Sequence, residues 1–581
     1  MSLVVDSPLI HRFFVRAEAM PDALMFAVYP RGHHTPAERI TWGGMSARVR
    51  AIGARLVHAG VQVGDRIAVF AGNRPIWPTL DLAIQSIGAV GVGIYPSSTP
   101  GQVDHVLRDS GARWLFTDQR HEAVRLASAT ASVSTPLPGV VLDTHDTADV
   151  GLPLAVTPLH VFADEGVALL MQDRALGRAL DARREAIVAD TLAALIYTSG
   201  STGEPKGACI SHRYLAASAA SIAAVLQLGD SDRTLSFLPY SHAAERVFGM
   251  CTRLLVGMSS ALIEDPTDLF PVAAHFEPTL LGALPRIFER LYEAADVARR
   301  EGRDPRAAIT ARVGHRVRLA TSGGAALPVA IAETLQQLGL PILGAYGQTE
   351  HLCIAMNRPD SPRFDTVGPP MPGTTVRIDD RGELLVRRSA LSFDGYWNRP
   401  AETRAAFSED GHWLHTGDLA ELLPDGSLRI TGRAKELIAL STGRKVPPVP
   451  IEAALTASPF IAHAVCHGEG RKYLTALVAP RRDALEAWAA AQGIDLPWVE
   501  LLRDDRVLEL LGGAVADVNS SLARPDRVQR FAVVADEFSS DNGLLTPTFK
   551  VIRAAADLRY AAHFEALYGP ATDVTAQEVR H

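Results

Sequence analysis

The sequence predicts an α/β protein with a large N-terminal part and a smaller C-terminal part. Its 581 residues exceed what one ordinary hydrophobic core supports, so at least two domains are expected. The first part of the chain alternates helical patterns with short apolar or β-branched runs, which is typical of a mostly parallel sheet wrapped by helices. After about Val367, alternating residues and Gly-Asp turns predict a small antiparallel β region.

The elements follow in chain order from the period of their apolar residues. Helices are predicted over 45–60 and 212–228, and the apolar run from Leu80 to Pro96 predicts a buried helix followed by a buried strand. Strands are predicted over 65–72, 112–118, 191–199, 279–285, 317–324 and 341–347. Strand ends are where open α/β sheets bind their ligands. Residues 120–175 allow no element boundary to be placed.

The pattern changes again from Arg433 onward, where a small separate α+β unit is predicted. The predicted fold class is therefore α/β. Two α/β subdomains and a small β region form an N-terminal domain over 1–432, and a small α+β domain covers 433–581.

Composition and charge exclude several classes of protein. Hydrophobic residues make up 47% of the chain, charged residues 21%, and the formal net charge is -8, so no nucleic-acid partner is expected. The four cysteines lie far apart without a CxxC pair, which predicts no disulfide framework and fits a reducing cytoplasm. Neither a signal peptide nor a transmembrane helix is predicted. Peripheral membrane contact and the oligomeric state are left open.

A glycine-rich segment between a predicted strand and a predicted helix carries the strongest chemical signal. It reads YTSGSTGEPKGACISH, and its glycines, hydroxyls and lysine can turn N–H groups, O–H groups and an ammonium toward a polyphosphate. Lys206 is followed by Gly207, so the spacing is not that of the Walker loop. A flexible surface turn is the alternative. The candidate phosphate-binding residues are Thr198, Ser199, Gly200, Ser201, Thr202, Gly203 and Lys206.

Further residues have a chemistry that suits a nucleotide. In AYGQTE, Tyr346 offers a flat ring for a purine, Thr349 a hydroxyl for a phosphate, and Glu350 a carboxylate for Mg²⁺. Asp418 can accept the hydroxyl protons of a ribose, and the guanidinium of Arg433 can reach the same sugar or its phosphate. The ordinary alternative is a surface charge for Glu350 and Arg433 and a helix or turn cap for Asp418.

Lysine is rare in this chain, since only five of the 57 basic residues are Lys. Lys550 follows a turn-like TPT in NGLLTPTFKVIR, where a compact ammonium on a slim stem fits a narrow space better than a guanidinium. His242 lies in LPYSHAAERV, and a single histidine in an apolar context is usually a hydrogen-bonded core residue.

The segment TSGSTGEPKG resembles the phosphate loop of the adenylate-forming superfamily, which includes acyl-CoA synthetases, adenylation domains and luciferases. Five further motifs follow in that superfamily's order across most of the chain. They are LPYSHAAERV, SGGAALP, AYGQTE, DGHWLHTGDLAELLPDGSLRITGRAKE and NGLLTPTFK.

The resemblance implies a role for each matched residue. Glu350, with Thr198, would hold Mg²⁺, and Asp418 and Arg433 would bind the ribose. His242 would lie near the substrate carboxylate. Lys550 would serve adenylation from a mobile C-terminal domain that turns at Lys435. The further residues implied for nucleotide binding are Gly324, Ala325, Tyr346, Gly347 and Thr349.

Within the superfamily, the motifs most resemble those of long-chain fatty acyl-CoA synthetases. This implies a ligase that activates a carboxylic acid with ATP and transfers the acyl group to coenzyme A. The two alternatives are a fatty acyl-AMP ligase that loads an acyl carrier protein and a catalytically degenerate nucleotide-binding protein. Two departures from the long-chain pattern are Gly432, where an Asp is common, and Pro450, where an acidic residue is common.

Overall fold

The computed structural model describes residues 7–118, 140–143, 156–198, 204–539, 542–546, 550–569 and 576–578. In chain order the strands are β1 (Leu24–Tyr29), β2 (Glu38–Thr41), β3 (Arg66–Phe70), β4 (Val90–Ile94), β5 (Trp114–Thr117), β6 (Val140–Leu142), β7 (Val156–Pro158), β8 (Leu192–Thr198), β9 (Lys206–Ser211), β10 (Arg233–Ser236), β11 (Ser259–Ile263), β12 (Leu280–Ala283), β13 (Leu319–Ser322), β14 (Ile342–Gln348), β15 (His351–Met356), β16 (Val376–Ile378), β17 (Glu383–Arg387), β18 (Gly395–Tyr396), β19 (Trp413–Leu422), β20 (Leu428–Arg433), β21 (Ile438–Ala439), β22 (Lys445–Val446), β23 (Ile461–His467), β24 (Leu474–Pro480), β25 (Val528–Val533) and β26 (Ala576–Glu578).

The α-helices of the described residues are α1 (Leu9–Ala19), α2 (Trp42–His58), α3 (Ile76–Ser86), α4 (Pro100–Ser110), α5 (Leu159–Gln172), α6 (Arg174–Glu185), α7 (His212–Leu226), α8 (Thr252–Val256), α9 (Leu269–Phe276), α10 (Pro285–Arg300), α11 (Pro305–Val313), α12 (Val329–Gln337), α13 (Pro400–Ala406), α14 (Pro448–Thr456), α15 (Arg482–Ala491), α16 (Trp498–Leu501), α17 (Asp505–Ser520), α18 (Arg553–Arg559) and α19 (Ala561–Tyr568). A π-helical segment, Glu245–Cys251, precedes α8.

The chain divides into two compact units. The first comprises Met1–Arg377, Leu385–Thr416 and Leu423–Leu428, and the second comprises Ile378–Leu384, Gly417–Leu422 and Arg429–His581. The domain boundary predicted between 432 and 433 stays a prediction.

The largest sheet of the first unit has eight strands in the order β18-β9-β8-β4-β3-β5-β6-β7. The strands from β8 to β7 in this order run parallel to their neighbours, whereas β9 and β18 are antiparallel. The five residues of β4 are all buried, and five of the seven residues of β8 are buried. Continuous apolar strands of this kind are typical of a parallel sheet that is covered on both faces.

Two four-stranded sheets complete the α/β part of the first unit. Their orders are β10-β11-β1-β2 and β12-β13-β14-β15. In the second sheet β12, β13 and β14 are parallel, and β15 turns back against β14. One hydrophobic core joins residues from both sheets and from α9 to α12. A further sheet has the order β16-β17-β19-β20.

The sheet of the second unit, β23-β24-β25-β26, buries side chains on both faces. Along β24, Ala476 and Val478 belong to a core shared with α14, α15 and α17. Leu477 and Ala479 belong to a second core shared with α18 and α19. Because successive side chains of a strand point to opposite faces, the apolar run of β24 fills both cores.

The predicted fold class is confirmed. The helix predicted over 45–60 is α2, that over 212–228 is α7, and the run from Leu80 to Pro96 contains the end of α3 followed by β4. The six predicted strands are β3, β5, β8, β12, β13 and β14. Among the residues that the structure describes, no helix is both long and apolar enough to cross a membrane.

Two histidines of the first unit are buried in their neutral form. His212 begins α7, and burial, followed by the positive charges of His11 and Arg246, lowers its pKa to about 4. His351 is 0% exposed, with Ser392 Oγ 3.2 Å from Nδ1 and Thr374 Oγ1 3.0 Å from Nε2, and burial lowers its pKa to about 3.

We expect stability to fall as the pH drops below 6.5. The unfolded chain then binds protons at His212 and His351, whereas the folded chain binds them only near about 4 and 3. Each histidine therefore lowers the free energy of unfolding by up to ~1.4 kcal/mol per pH unit, until the pH falls below its folded-state pKa. Thermal unfolding between about pH 7.5 and 5 measures the effect.

The variant His212→Leu removes one titrating ring and should flatten this pH dependence. The exchange His33→Leu, at an exposed position, should leave it unchanged. Equal pH dependence in the wild type and His212→Leu would contradict the assignment.

Candidate active site

The predicted phosphate loop is closed at its base by two paired strands. Thr198 ends β8, Lys206 begins β9, and the two are register partners in the antiparallel pair. Cross-strand partners place their side chains on the same face of a sheet, so the hydroxyl and the ammonium lie side by side. The remaining predicted loop residues, Ser199, Gly200, Ser201, Thr202 and Gly203, lie outside the described residues.

Gly207 allows β9 to pass close to the ring of Tyr197. A Cβ atom at Gly207 would lie 3.1 Å from the ring, closer than ordinary van der Waals contact. The Tyr197 hydroxyl donates to Asp109 Oδ2 at 2.8 Å, which fixes the ring. The glycine after Lys206 is thus explained by packing against β8.

A short strand from a later part of the chain completes this face of the sheet. β18 pairs with β9, with Tyr396 opposite Ala208. Trp397 N–H donates to Gly207 O at 2.8 Å, which extends the pairing. Lys206 is two residues from Ala208 on the same face, and its Nζ lies 5.6 Å from the centre of the Tyr396 ring. This distance allows a cation–π contact.

Tyr396 also contacts the carboxylate predicted to hold the metal. Its hydroxyl donates to Glu350 Oε1 at 2.5 Å, and Phe393 N–H donates to the backbone oxygen of Glu350 at 2.9 Å. Burial, followed by the negative charge of Glu350, raises the pKa of Tyr396 above its usual range, so the hydroxyl keeps its proton. No pattern in the sequence distinguishes Tyr396 from other tyrosines in β patterns.

Thr349 and Glu350 form the turn between β14 and β15, because Gln348 pairs with His351. The hydroxyl of the buried Tyr214 on α7 donates a hydrogen bond to Thr349 O at 2.9 Å and so holds the turn. Two neighbouring sets of contacts therefore fix this turn, one from α7 and one from the 393–396 segment.

Gly347, which precedes this turn, cannot carry a side chain. A Cβ atom there would lie 1.7 Å from Leu352 O and 2.4 Å from Leu352 C, inside the backbone of the paired strand. Tyr346 is half-buried and pairs with Ala355 across the same hairpin.

The SGGAALP motif follows β13, which is parallel to β14. Ser322 is the register partner of Gly344, so Gly324 and Ala325 leave the sheet beside the strand that carries Tyr346. Gly324 has a φ of +81°, which favours glycine, and Ala325 is exposed.

His242 is half-buried, and a backbone N–H selects the tautomer of its neutral ring. Ala244 N–H donates to His242 Nδ1 at 3.1 Å. An accepting Nδ1 carries no proton, so in the neutral ring the proton is on Nε2, which then acts as a donor. Tyr95 meets the imidazole edge to face, with ring centres 6.3 Å apart.

Buried charges hold the segment that follows His242. Arg246 forms an ion pair with Asp81, and their side chains are only 1% and 3% exposed. Glu245 accepts a hydrogen bond from Ser236 Oγ at 2.6 Å, and burial raises its pKa to about 7. Because these partners are buried and paired, they hold the start of the π-helical segment in one place.

Three predicted residues meet in the second unit. Asp418 on β19 is 4% exposed, and its Oδ1 lies 2.9 Å from Arg433 Nε at the end of β20. The Lys550 side chain is exposed at the surface, yet its pKa is lowered, chiefly by desolvation and then by the positive charge of Arg433. The carboxylates of Asp418 and Glu436 act in the opposite direction. Lys435 is exposed in the short 3₁₀ turn Ala434–Glu436.

Backbone contacts close the chain around Lys550 into a narrow hairpin. Thr546 N–H donates to Lys550 O at 2.7 Å, and Lys550 N–H donates to Thr546 Oγ1 at 3.1 Å. Leu545 and Val551 form a β-bridge next to them. Residues 547–549, which contain most of the TPT turn, lie outside the described residues.

The structure accounts for both departures from the long-chain pattern. A Cβ atom at Gly432 would lie 2.8 Å from the Cβ of Pro447, so the rigid proline ring leaves no room for an Asp. Pro450 lies in the first turn of α14, where N–H groups have no acceptor within the helix. Proline is tolerated there.

Comparison with known proteins gives a consistent family assignment. A family model described as AMP-binding enzyme matches residues 13–397, and one described as AMP-binding enzyme C-terminal domain matches 435–572. The long-chain-fatty-acid–CoA ligase FadD15 of Mycobacterium tuberculosis is 31% identical over 91% of this chain and 92% of that protein. The human long-chain-fatty-acid–CoA ligase 1 is 27% identical over 92% of this chain and 83% of that protein.

Solved structures share the fold. The anthranilate CoA ligase AuaEII, in complex with anthranoyl-AMP, superposes with a TM-score of 0.75 at 20% identity over 97% of this chain and 100% of that chain. The A domain of a carboxylic acid reductase from Segniliparus rugosus, with AMP and a co-purified carboxylic acid, gives a TM-score of 0.77 at 21% identity, covering 97% of this chain and 94% of that chain.

The contact at Gly347 leads to a test of the turn. Gly347→Ala forces the Thr349–Glu350 hairpin away from Leu352, because a Cβ atom cannot lie 1.7 Å from a carbonyl oxygen. Steric overlap of this kind costs about 1–3 kcal/mol, and ~1.4 kcal/mol corresponds to a tenfold change in affinity. We therefore expect nucleotide affinity, measured by calorimetry, to fall by at least about tenfold. Gly513→Ala, in a helix with open space around the glycine, is the control and should bind normally. Wild-type affinity in Gly347→Ala would show that the turn makes no contribution.

Proposed function

The chain belongs to the AMP-binding enzyme family, and on this premise we propose that it is an ATP-dependent fatty acyl-CoA synthetase for medium- or long-chain acids. The observation that carries the proposal is the grouping of Thr198, Lys206 and Glu350 on the first unit. The acid class is supported by relatives named as long-chain-fatty-acid–CoA ligases that match over nine tenths of the chain.

The proposed first step joins two anions, a carboxylate and the α-phosphate of ATP. A carboxylate oxygen forms a bond to the α-phosphorus, the bond to the bridging oxygen breaks, and pyrophosphate leaves with the electron pair. Fixed positive charge must stabilise the transition state, since like charges approach each other. Lys206 would supply it at the leaving phosphates and Lys550 at the α-phosphate.

Mg²⁺ fits the oxygen donors of this site. Glu350 provides a carboxylate and Thr198 a hydroxyl. Mg²⁺ prefers oxygen ligands, usually one or two carboxylates with phosphate oxygens and water. When bound, Mg²⁺ neutralises charge on the phosphates. Glu350 keeps acceptor capacity after the Tyr396 hydrogen bond, because a carboxylate has about four lone-pair sites on two oxygens.

The resemblance assigns the nucleoside contacts to separate motifs. Tyr346 and Ala325 would contact adenine beside the backbone of Gly324 and Gly347. Asp418 would accept hydrogen bonds from the ribose hydroxyls. The 2.9 Å contact between Arg433 Nε and Asp418 Oδ1 supports their action as a pair.

His242 suits the substrate carboxylate as a hydrogen-bond donor. Its Nδ1 accepts from Ala244, so Nε2–H is the group that can donate to a carboxylate oxygen. This hydrogen bond would orient the acid for attack.

The second proposed step transfers the acyl group from AMP to a thiol. The thiol of coenzyme A loses its proton, its sulfur attacks the carbonyl carbon, and AMP leaves. Rotation of the C-terminal domain at Lys435 would withdraw Lys550 and open the site to the thiol. The alternative acceptor is an acyl carrier protein in place of coenzyme A. Pro450, which departs from the long-chain pattern, lies in the C-terminal domain proposed to rotate for this step.

The function is tested by pyrophosphate release with ATP, Mg²⁺ and a panel of carboxylic acids. We expect release with fatty acids, followed by thioester formation with coenzyme A. Thioester formation with a carrier protein but not with coenzyme A would transfer the assignment to an acyl-AMP ligase. No pyrophosphate release with any acid would refute catalysis and favour a degenerate nucleotide-binding protein.

Lys550 variants should separate the two steps. Lys550→Ala and Lys550→Arg should each slow pyrophosphate release by at least about 100-fold, because Arg keeps the charge but brings a broad planar group to a narrow site. Conversion of added acyl-AMP to the thioester should continue.

The pKa of Lys550 is lowered, so the ammonium loses its proton below the usual range of a lysine. Wild-type adenylation should therefore decline as the pH rises toward that pKa.

Lys472→Ala, a change at an exposed lysine to which no role is assigned, is the control and should behave as the wild type. Full adenylation activity in Lys550→Arg would rule out the steric argument. Equal loss of both half-reactions would indicate a structural defect instead.

A further inference from the structure

We propose that Tyr396 is a positioning residue that holds both Lys206 and Glu350 for MgATP. The inference rests on the proposed function in taking MgATP as the ligand. Tyr396 reaches Glu350 through its hydroxyl, at 2.5 Å from Oε1, and Lys206 through its ring face, at 5.6 Å from Nζ. One side chain therefore touches the two oppositely charged groups of the phosphate site.

The hydroxyl fixes the direction of the Glu350 carboxylate. Glu350 lies in a turn and is only half-buried, so its side chain would otherwise sample several rotamers. The backbone bond from Phe393 to Glu350 O holds the main chain, and the Tyr396 bond holds the side chain. Hydrogen-bond partners of metal-binding carboxylates commonly change metal affinity by 10- to 100-fold when removed.

The ring restrains Lys206 by a separate interaction. Lys206 has a long flexible stem, and the face of an aromatic ring attracts an ammonium without neutralising it, unlike a carboxylate. Its charge therefore stays available to a phosphate. The ring is itself fixed, because Tyr396 N–H donates to Thr403 Oγ1 at 2.8 Å and the Phe393 ring packs edge to face at 4.9 Å.

The two contacts can be removed separately. Tyr396→Phe keeps the ring and removes the hydroxyl, whereas Tyr396→Leu removes both. Tyr197→Phe is the matched control, because Tyr197, on β8 of the same sheet, also donates to a carboxylate, that of Asp109. All three are compared in the full-length protein after circular dichroism shows a normal fold.

Binding is measured without turnover, using α,β-methylene-ATP and Mn²⁺ followed by electron paramagnetic resonance. We expect Tyr396→Phe to weaken Mn²⁺ binding in the ternary complex by about 10- to 100-fold. In excess chelator, ATP affinity measured by calorimetry should be unchanged in Tyr396→Phe and weaker by about 2- to 10-fold in Tyr396→Leu. Tyr197→Phe should match the wild type in both measurements.

The outcomes separate this inference from the proposed function. A wild-type protein that binds neither ATP nor the analogue would refute the proposed function. A wild-type protein that binds both, with Tyr396→Phe indistinguishable from it, would overturn only the role of Tyr396. In a Glu350→Gln background, a further loss of Mn²⁺ affinity on adding Tyr396→Phe would also overturn it, because the hydroxyl is proposed to act through Glu350.

Discussion

The pairing of β9 with a strand on each side is the constraint on which the site of the first unit depends. β8 pairs with β9 on one side and β18 pairs with it on the other. Because strand side chains alternate between faces, these two pairings place Thr198, Lys206 and Tyr396 together. A slip of one residue in either register would turn a member of this group to the opposite face.

Charged groups in both units are held by a neighbour rather than left to solvent. Lys206 lies over the Tyr396 ring, Arg433 pairs with Asp418, and Arg246 pairs with Asp81. Groups fixed in this way need little rearrangement when charge develops in a reaction, which is the physical basis of electrostatic catalysis. Buried pairs also cost desolvation energy, so their retention favours a positioning role over a contribution to stability.

Much of the fold could be predicted because burial imposes a period on the sequence. The parallel strands β4 and β8 are continuous apolar runs, and α2 and α7 show helical spacing. The nucleotide motifs are contiguous, so their residue types and order were readable. The role of Tyr396 could not be predicted, because it lies 46 residues from Glu350 in the sequence and only strand pairing brings it to Lys206. Similarly, 165 residues separate Asp81 from Arg246.

The contact between Gly432 and Pro447 has a consequence for how this sequence can change over generations. An Asp at 432 would need a Cβ atom 2.8 Å from that of the proline, so this exchange does not fit while Pro447 is present. The proline must be replaced first, and this makes the two positions epistatic. The order of substitution at 432 and 447 is therefore constrained, and Gly432→Asp as a single exchange would be harmful in this chain.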